Sequence, residues 1–370
     1  MTTSASPATV VDRSPARTRG GCLCAARWCL VGLASVVALV AFAWGCGAFW
    51  WSRLGPDWMR GVVVGLFLLA ALVAVVRLRG VSRWLALVGI WLLPFAWFWF
   101  APATNDAQWE TPCSRAPTIE VQGDVITVRN VRDFHWRSDD DYDARWDDRT
   151  YDLSKLRTLD IFMSYWGPTL ICHTFVSFGF EDGRHLAASV EVRKKVGETY
   201  ATVPSIFRMF ELIYVFADER DIVYVRTNVR KETVHLFRVN ASPAGIRGLL
   251  VEYVNRANRL AAHPEWYNAV TNSCGVNVVQ NSWAEGSRRP LSWRLLFNGQ
   301  WARYAYEGGA LDQSKPFDEL FANSVINAAA QQAGYAPDFS QAIRAHDHVT
   351  YTVPAAIAPT KPPVDPTAHQ

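Results

Sequence analysis

The chain changes texture near residue 103. Before it, three long apolar runs follow one another: Trp28 to Trp51, which carries no charge, Gly61 to Val76, and Trp84 to Phe100. A membrane-spanning helix needs about 20 apolar residues at 1.5 Å rise, within a range of roughly 17–25. The first run meets that outright. The second meets it once Trp58 and Met59 are added, with Arg60 and Arg77 snorkelling at its ends. The third contains Pro94, which predicts a kink of the kind lipid-embedded helices tolerate when neighbours satisfy the freed carbonyl. Beyond these runs the pattern shortens. IEVQGDVITVRN (119–130) alternates around Gly123-Asp124 and reads as a hairpin. A second hairpin joins TLICHTFVSFGF (169–180) to HLAASVEV (185–192) through Glu181-Asp182-Gly183-Arg184. Further strands are expected at 212–217, 221–227 and 233–239. Ser242 caps a helix through His263, with Pro243 in its first turn; another helix begins around Cys274, and a third covers Phe317 to Ala333. A mostly antiparallel sheet with flanking helices is an α+β fold.

Charge follows the same division. Residues 1–103 hold nine Arg, no Lys and two Asp (Asp12 and Asp57), net +7, while the remainder holds 28 basic against 32 acidic residues, net −4. Arg13, Arg17, Arg19 and Arg27 precede the first span, and Arg77, Arg79 and Arg83 separate the second from the third. Only Arg53 and Arg60 occupy the other loop. That bias puts the N-terminus in the cytoplasm and everything after the third span outside it. The expectation is a multi-pass protein of a bacterial inner (plasma) membrane with a periplasmic C-terminal domain. A cleaved signal peptide does not fit, since two more spans follow, and Trp44 occupies a position that a lipoprotein signal at Cys46 would fill with a small residue. The predicted organisation is a disordered cytoplasmic leader (1–26), a three-helix anchor (27–103), an exported domain (104–350) and a Pro-rich tail (351–370). The basic excess flanks apolar runs and forms no stripe on a folded domain, so nucleic acid is excluded as a partner. Ser138 to Arg149 holds six Asp but lacks the turn glycine and bidentate Glu of a calcium loop. It reads as a solvated acidic loop, and no metal or cofactor is expected.

Candidate chemistry centres on two residues. Cys274, in YNAVTNSCGVNVV, stands where polar turn residues give way to a helical run. A helix N-terminus favours thiolate, and its unpaired N–H groups suit an oxyanion; the alternative is a small buried residue at a helix start. His173 lies in a strongly apolar strand, either as a satisfied core residue or as general base and acid to the thiol. The order of His before Cys suits a circularly permuted papain-like (NlpC/P60-like) fold. Glu191 is a candidate to orient the imidazole. A two-residue Asp182-Gly183 turn sets His173 opposite Val192 and puts Glu191 opposite Thr174, on the other face; an odd-length loop reverses this. Tyr267, Asn272, Gly275 and Arg226 are substrate or oxyanion candidates, and Tyr165, Trp166, Phe175 and Phe178 are candidates for an apolar lining. The cluster Glu211, Asp218, Glu219, Arg220, Asp221, Arg226 and Arg230 is either a structural ion-pair network or a headgroup site. Cys22, Cys24, Cys29 and Cys46 belong to the leader and first span, leaving Cys113, Cys172 and Cys274 outside. A Cys113–Cys172 bridge would spare Cys274.

Segments 130–137 (NVRDFHWR), 165–180 (YWGPTLICHTFVSFGF), 189–198 (SVEVRKKVGE), 211–230 (ELIYVFADERDIVYVRTNVR) and 267–274 (YNAVTNSC) resemble the Lnb-type periplasmic domain family over roughly residues 115–330. The resemblance implies a lipoprotein N-acyltransferase, which moves a fatty acyl chain from phospholipid to the α-amine of a lipoprotein. The family's thiol and imidazole map onto Cys274 and His173. Ser-Cys-Gly-Val stands here where family members more often have Asn-Cys-Thr-Thr. Three functions compete: a membrane-anchored cysteine acyltransferase with phospholipid and lipoprotein as partners, a cysteine peptidase or amidase of the cell envelope, and a non-catalytic module that binds lipid or protein.

Overall fold

A computed structural model describes residues 18–167, 170–284, 294 and 298–345, and the chain divides into two units after Ala101. The first holds α1 (Thr18–Trp50), α2 (Asp57–Arg77) and α3 (Gly80–Phe100). All three are long and apolar enough to cross a membrane. Helix α1 starts ten residues ahead of the apolar run, so residues 18–26 of the expected disordered leader are helical. Once the run has nucleated a helix, extension back through Cys22-Leu23-Cys24-Ala25-Ala26 adds hydrogen bonds at little further entropy cost. Small residues let the three pack. A Cβ on Gly45 would lie 2.9 Å from the Phe67 ring and 3.0 Å from Pro94, which sits inside α3. The Trp91 indole N–H, which no lipid tail can satisfy, donates to the Ala41 carbonyl at 3.0 Å. The leader up to residue 17 and the Pro-rich tail lie outside the described residues.

The second unit is built on an eight-stranded sheet of order β1-β2-β9-β8-β7-β6-β10, with β5 also pairing β2. The strands are β1 (Thr118–Gln122), β2 (Val125–Arg132), β5 (Trp146–Asp152), β6 (Leu156–Tyr165), β7 (His173–Phe180), β8 (His185–Arg193), β9 (Glu211–Ala217) and β10 (Thr233–Arg238). A separate ribbon pairs β3 (His135–Trp136) with β4 (Tyr142–Asp143). All pairs in the large sheet are antiparallel except β2 with β9. Alternation along the central strands feeds two cores. Val176, Phe178, Leu186 and Tyr214 pack under α6 (Pro243–Ala262) and α7 (Cys274–Ala284), joined by α8 (Trp301–Glu307) and α9 (Phe317–Asn323). Phe162, Phe175, Ala187 and Val215 pack under α5 (Glu219–Tyr224), α10 (Asn327–Ala333) and α11 (Phe339–Ala342). A short helix, α4 (Thr202–Ile206), lies between β8 and β9. The unit is α+β, as the patterning predicts.

Three local expectations fail for identifiable reasons. Residues 221–227 are not a strand: α5 runs into a π-helical turn at Val225–Val229. Asp218 caps the helix by accepting from the Arg220 N–H at 2.9 Å, and Glu219 and Asp221 face its positive end. The β-branched Ile222, Val223 and Val225 that suggested a strand are the helix's buried stripe. The helix expected over Phe317–Ala333 is interrupted between α9 and α10, because residues 324–326 are drawn into pairing with β10. The Leu236 N–H donates to Ser324 and the Ile326 N–H to Val234, at 2.9 and 3.0 Å, which covers an edge that would otherwise lie open. Finally, Cys113 and Cys172 are free thiols. They are buried in different cores, on opposite faces of the sheet, so no bridge joins them.

The acidic stretch is not a loop throughout. It contributes β4 and the start of β5, and its carboxylates meet arginines: Asp141 and Asp143 bond Arg137, and Asp147 bonds Arg145 and Arg149. The acid–base cluster that begins at Glu211 likewise resolves into separate structural contacts. Glu211 accepts from the Thr104 N–H, Asp218 pairs with Arg149 and Arg220, and Arg230 pairs with Asp139. Asp221, fully buried, accepts from Nε and Nη2 of Arg132 and from the Trp136 indole N–H. Glu219 is buried against Arg344, which also meets Asp160. Burial pushes the Glu219 carboxyl up, but the Arg344 charge outweighs it and holds the group at about 2. Arg344→Met strands the buried Glu219 carboxylate, while Asp160 keeps its pair with Arg238. The expected loss is about 3–5 kcal/mol, read as a lowered denaturation midpoint of the detergent-solubilised chain.

Candidate functional site

The loop between β7 and β8 decides which side chains meet. The Phe180 N–H donates to the Arg184 carbonyl at 2.9 Å, so three residues, Glu181 to Gly183, make the turn. Gly183 alone takes a positive φ, 82°, whereas a two-residue turn would need Asp182 there as well. Phe175 consequently faces Ser189. The register is one residue away from the two-residue expectation, and Glu191 comes to the same face as His173. The imidazole Nε2 lies 2.7 Å from Ser189 Oγ and 3.2 Å from Glu191 Oε1. The Ser189 hydroxyl donates to that same carboxylate oxygen at 2.7 Å. Below the imidazole, the Phe175 ring stacks at 5.7 Å.

Glu191 is held from behind. The π-helical turn aims Arg226 across the Phe175 ring, where its Nη2 donates to Glu191 Oε1 at 3.0 Å and its Nη1 to the Ile222 carbonyl at 2.7 Å. With Nε2 engaged by Ser189 and Glu191, Nδ1 is the ring nitrogen left to serve Cys274, which lines the same cleft. Cys274 is the first residue of α7, so the N–H groups of the first turn have no partner within the helix.

Electrostatics bias this arrangement toward an ion pair. Burial pushes the Cys274 thiol up, but the hydrogen bond and charge of His173 outweigh it, leaving the thiol below its ordinary 9.0. Burial likewise pushes His173 down, yet the Glu191 charge, with hydrogen bonding to Cys274 and Glu191, lifts it to about 9 against the opposing charge of Arg226. Glu191 itself resists burial through the charges of His173 and Arg226 and stays well below the usual carboxylate range. Cys172, one residue from His173, contrasts sharply: burial, with too little to oppose it, drives its thiol far up.

Sequence reasoning missed Asn298. Its Oδ1 accepts from the Cys172 N–H at 3.0 Å, which fixes the amide orientation because that partner is a donor only. Nδ2 then faces the Cys172 carbonyl and, at 3.6 Å, Cys274 Sγ. One amide thereby ties the strand that carries the imidazole to the sulfur. A Cβ on Gly275 would stand 3.1 Å from Asn298 Cβ, so the glycine is what admits the amide. Nothing local marks Asn298, since its partners lie 126 and 24 residues away. Ser189 was missed too, and the corrected register is the signal that finds it.

Cys274, His173, Glu191, Arg226, Tyr267, Asn298 and Trp166 all line one cleft of about 950 Å³, continued by Ile171, Val190, Val192 and Ile206. Other candidates are elsewhere. Asn272 spends its amide on the turn before α7, donating to the Trp266 carbonyl and accepting from Asn277. Tyr165 bonds the Gly299 carbonyl, and Phe175 and Phe178 are fully buried, so of the four proposed lining aromatics only Trp166 reaches the cleft. Arg226 is committed to Glu191 rather than held open for an oxyanion. Among the described residues no group of three or more His, Cys, Asp or Glu is placed to hold a metal ion.

No curated protein and no solved structure matches the chain. Residues 142–299 match the family model of the Lnb N-terminal periplasmic domain, a stretch that contains His173, Ser189, Glu191, Arg226, Cys274 and Asn298. With three helices able to cross a membrane and this match, the chain is a membrane-anchored protein with a periplasmic, Lnb-like domain.

Proposed function

We propose that the chain is a thiol acyltransferase of the bacterial cell envelope, multi-pass in the inner membrane, that moves an acyl chain from phospholipid to a lipoprotein amine or a similar acceptor. The observation that carries this reading is a buried thiol, backed by a histidine and an ionised carboxylate, opening into a large cleft whose lining mixes apolar side chains such as Ile171, Val192 and Ile206 with charged ones such as Arg132, Lys194 and Glu232. In the first half-reaction the Cys274 thiolate attacks the ester carbonyl. The negative charge that develops on oxygen meets Asn298 Nδ2 and the free N–H groups at the start of α7. The ester C–O bond breaks, the protonated His173 ring gives its proton to the departing lysophospholipid oxygen, and the acyl group stays on sulfur as a thioester. In the second half-reaction the acceptor amine attacks that carbonyl while His173 takes its proton. The C–S bond breaks and the thiolate–imidazolium pair is restored. Glu191 keeps the ring oriented and charged, with Arg226 behind it as a positioning residue. The order of a strand-borne His before a helix-borne Cys, as in permuted papain-like enzymes, supports the same reading.

Mass spectrometry of lipoprotein N-termini and of the phospholipid pool, in cells with and without the gene, tests it. Acyl groups on amines and matching lysophospholipid should both depend on the gene. If both are untouched while cell-wall peptide fragments change, water is the acceptor and the protein is an amidase or peptidase. If none of these changes, it is a binding module.

A further inference from the structure

Charges lining the cleft do not cancel. Its four Lys and Arg side chains are each paired with a carboxylate: Arg132 with Asp221, Lys194 with Glu110, Arg226 with Glu191 and Arg230 with Asp139. Two of its five carboxylates, Asp140 and Glu232, meet no cation at ion-pair distance among the described residues. Asp140 is exposed, where water suffices. Glu232 is half-buried, and a carboxylate withdrawn from water wants a positive partner or further hydrogen bonds. The Ser164 hydroxyl, fully buried, donates to its Oε2, but Oε1 has no donor among the described residues. Arg226 feels the Glu232 charge, yet it spends Nη1 on the Ile222 carbonyl and Nη2 on Glu191.

Backbone contacts hold this carboxylate in place. The Glu232 N–H donates to the Arg226 carbonyl at 2.9 Å, and its carbonyl accepts from Asn327 Nδ2 at 2.7 Å, just ahead of β10. Register sets what it stands beside. Ser164 of β6 is the direct cross-strand partner of His173, so the two side chains share a face of the sheet with Cβ atoms about 5 Å apart. One hydroxyl therefore links Glu232 to the imidazole's neighbour, and Glu232 and His173 line the same cleft.

We infer that Glu232 is the subsite for a primary ammonium group of a substrate, held beside His173; the assignment rests on the acyl-transfer reading above. An ammonium brings three N–H donors and a full positive charge, which answer the open oxygen and the unbalanced charge together. A phosphate or carboxylate would instead meet arginines and a lysine that are already taken. Two groups in the proposed reaction carry such a cation at neutral pH. One is the acceptor's α-amine, whose ordinary pKa is about 8; the other is the headgroup of an ethanolamine phospholipid donor.

The test measures binding by calorimetry to the full chain carrying Cys274→Ala, in detergent micelles, with two pairs of probes. One pair is a diacylglyceryl-cysteinyl peptide with a free α-amine and its deamino analogue. The other is glycerophosphoethanolamine and glycerophosphoglycerol. With Glu232 in place, the ammonium-bearing member of at least one pair should bind roughly tenfold or more tightly than its counterpart, as expected of a charge-assisted hydrogen bond. Glu232→Gln, which keeps an oxygen for Ser164, should bring that ratio close to one. Preference within the peptide pair assigns the subsite to the acceptor, and preference within the headgroup pair assigns it to the donor. Equal binding within both pairs overturns the inference, as does a preference that survives Glu232→Gln. Each ratio is taken against a probe lacking only the ammonium, so a general loss of folded chain does not mimic the effect. Acyl-thioester formation on the native chain is scored separately. A thioester without ammonium preference keeps the transferase and removes the subsite, whereas preference without a thioester keeps the subsite and removes the transferase.

Discussion

If the chain acts as proposed, alanine in place of Cys274 should abolish acyl transfer, lowering turnover roughly ten-thousand-fold or more, about 5.5 kcal/mol of barrier. The size follows from the chemistry. Without the sulfur there is no covalent intermediate, and His173 and Glu191 are left orienting nothing. Fold effects are small by comparison. Cys274 is nearly buried, but the change removes a single heavy atom, costing on the order of 1 kcal/mol as for other small core truncations. Incubating native and Cys274→Ala chains with phospholipid vesicles and weighing the intact protein gives the measurement. The native chain should gain the mass of one acyl group, released by hydroxylamine, and the variant should gain none. An adduct of equal yield on the variant would remove Cys274 from the mechanism.

The second large effect is on ionisation. His173→Gln deletes the two largest influences that hold Cys274 below its ordinary value, leaving only the Thr174 backbone N–H against the burial that pushes the thiol up. The alkylation midpoint should therefore move from below 9 to above it. At pH 7 iodoacetamide labelling of the Cys274 peptide should slow by roughly tenfold or more, since each unit of pKa changes the thiolate fraction about tenfold. In the native chain labelling rises as pH climbs through the lowered thiol value. The imidazolium, raised to about 9, loses its proton at the alkaline end, so the ion pair predominates between those two points. Peptide-resolved mass spectrometry separates Cys274 from Cys172, whose thiol burial keeps protonated across this range. Unchanged labelling in His173→Gln would mean that the imidazole does not control the sulfur.

What could be read along the chain follows the range of the forces involved. Spans of twenty apolar residues announce themselves by composition: α2 and α3 lie within a few residues of their runs, while α1 extends ten residues ahead of its own. The two hairpins and the Ser242-capped helix depend on neighbours in sequence and were equally legible. Errors arose where a local preference was overruled. Ile222 and Val223 favour a strand in isolation, but a capping Asp218 and acidic first turn set the helix first. Ser324 to Ile326 continue a helical pattern, yet an open strand edge claims their backbone. At the site, Cys274 and His173 stood out by residue type and setting. Their partners depended on geometry that sequence spacing only brackets. Glu191 turned on whether one loop has two residues or three. Asn298 is brought in from a distant segment and leaves no signature near either residue it serves.

The π-helical winding after α5 has a consequence for chains of this kind. The Arg230 N–H reaches back five residues to the Val225 carbonyl, so that turn contains one residue more than an α-helical turn would. A chain lacking the surplus residue would wind straight through, rotate the guanidinium away from the sheet, and leave the acid behind the imidazole without its countercharge. Whether that surplus residue is present therefore sorts such domains into those that clamp the acid behind the imidazole from the far side and those that share the scaffold without that clamp.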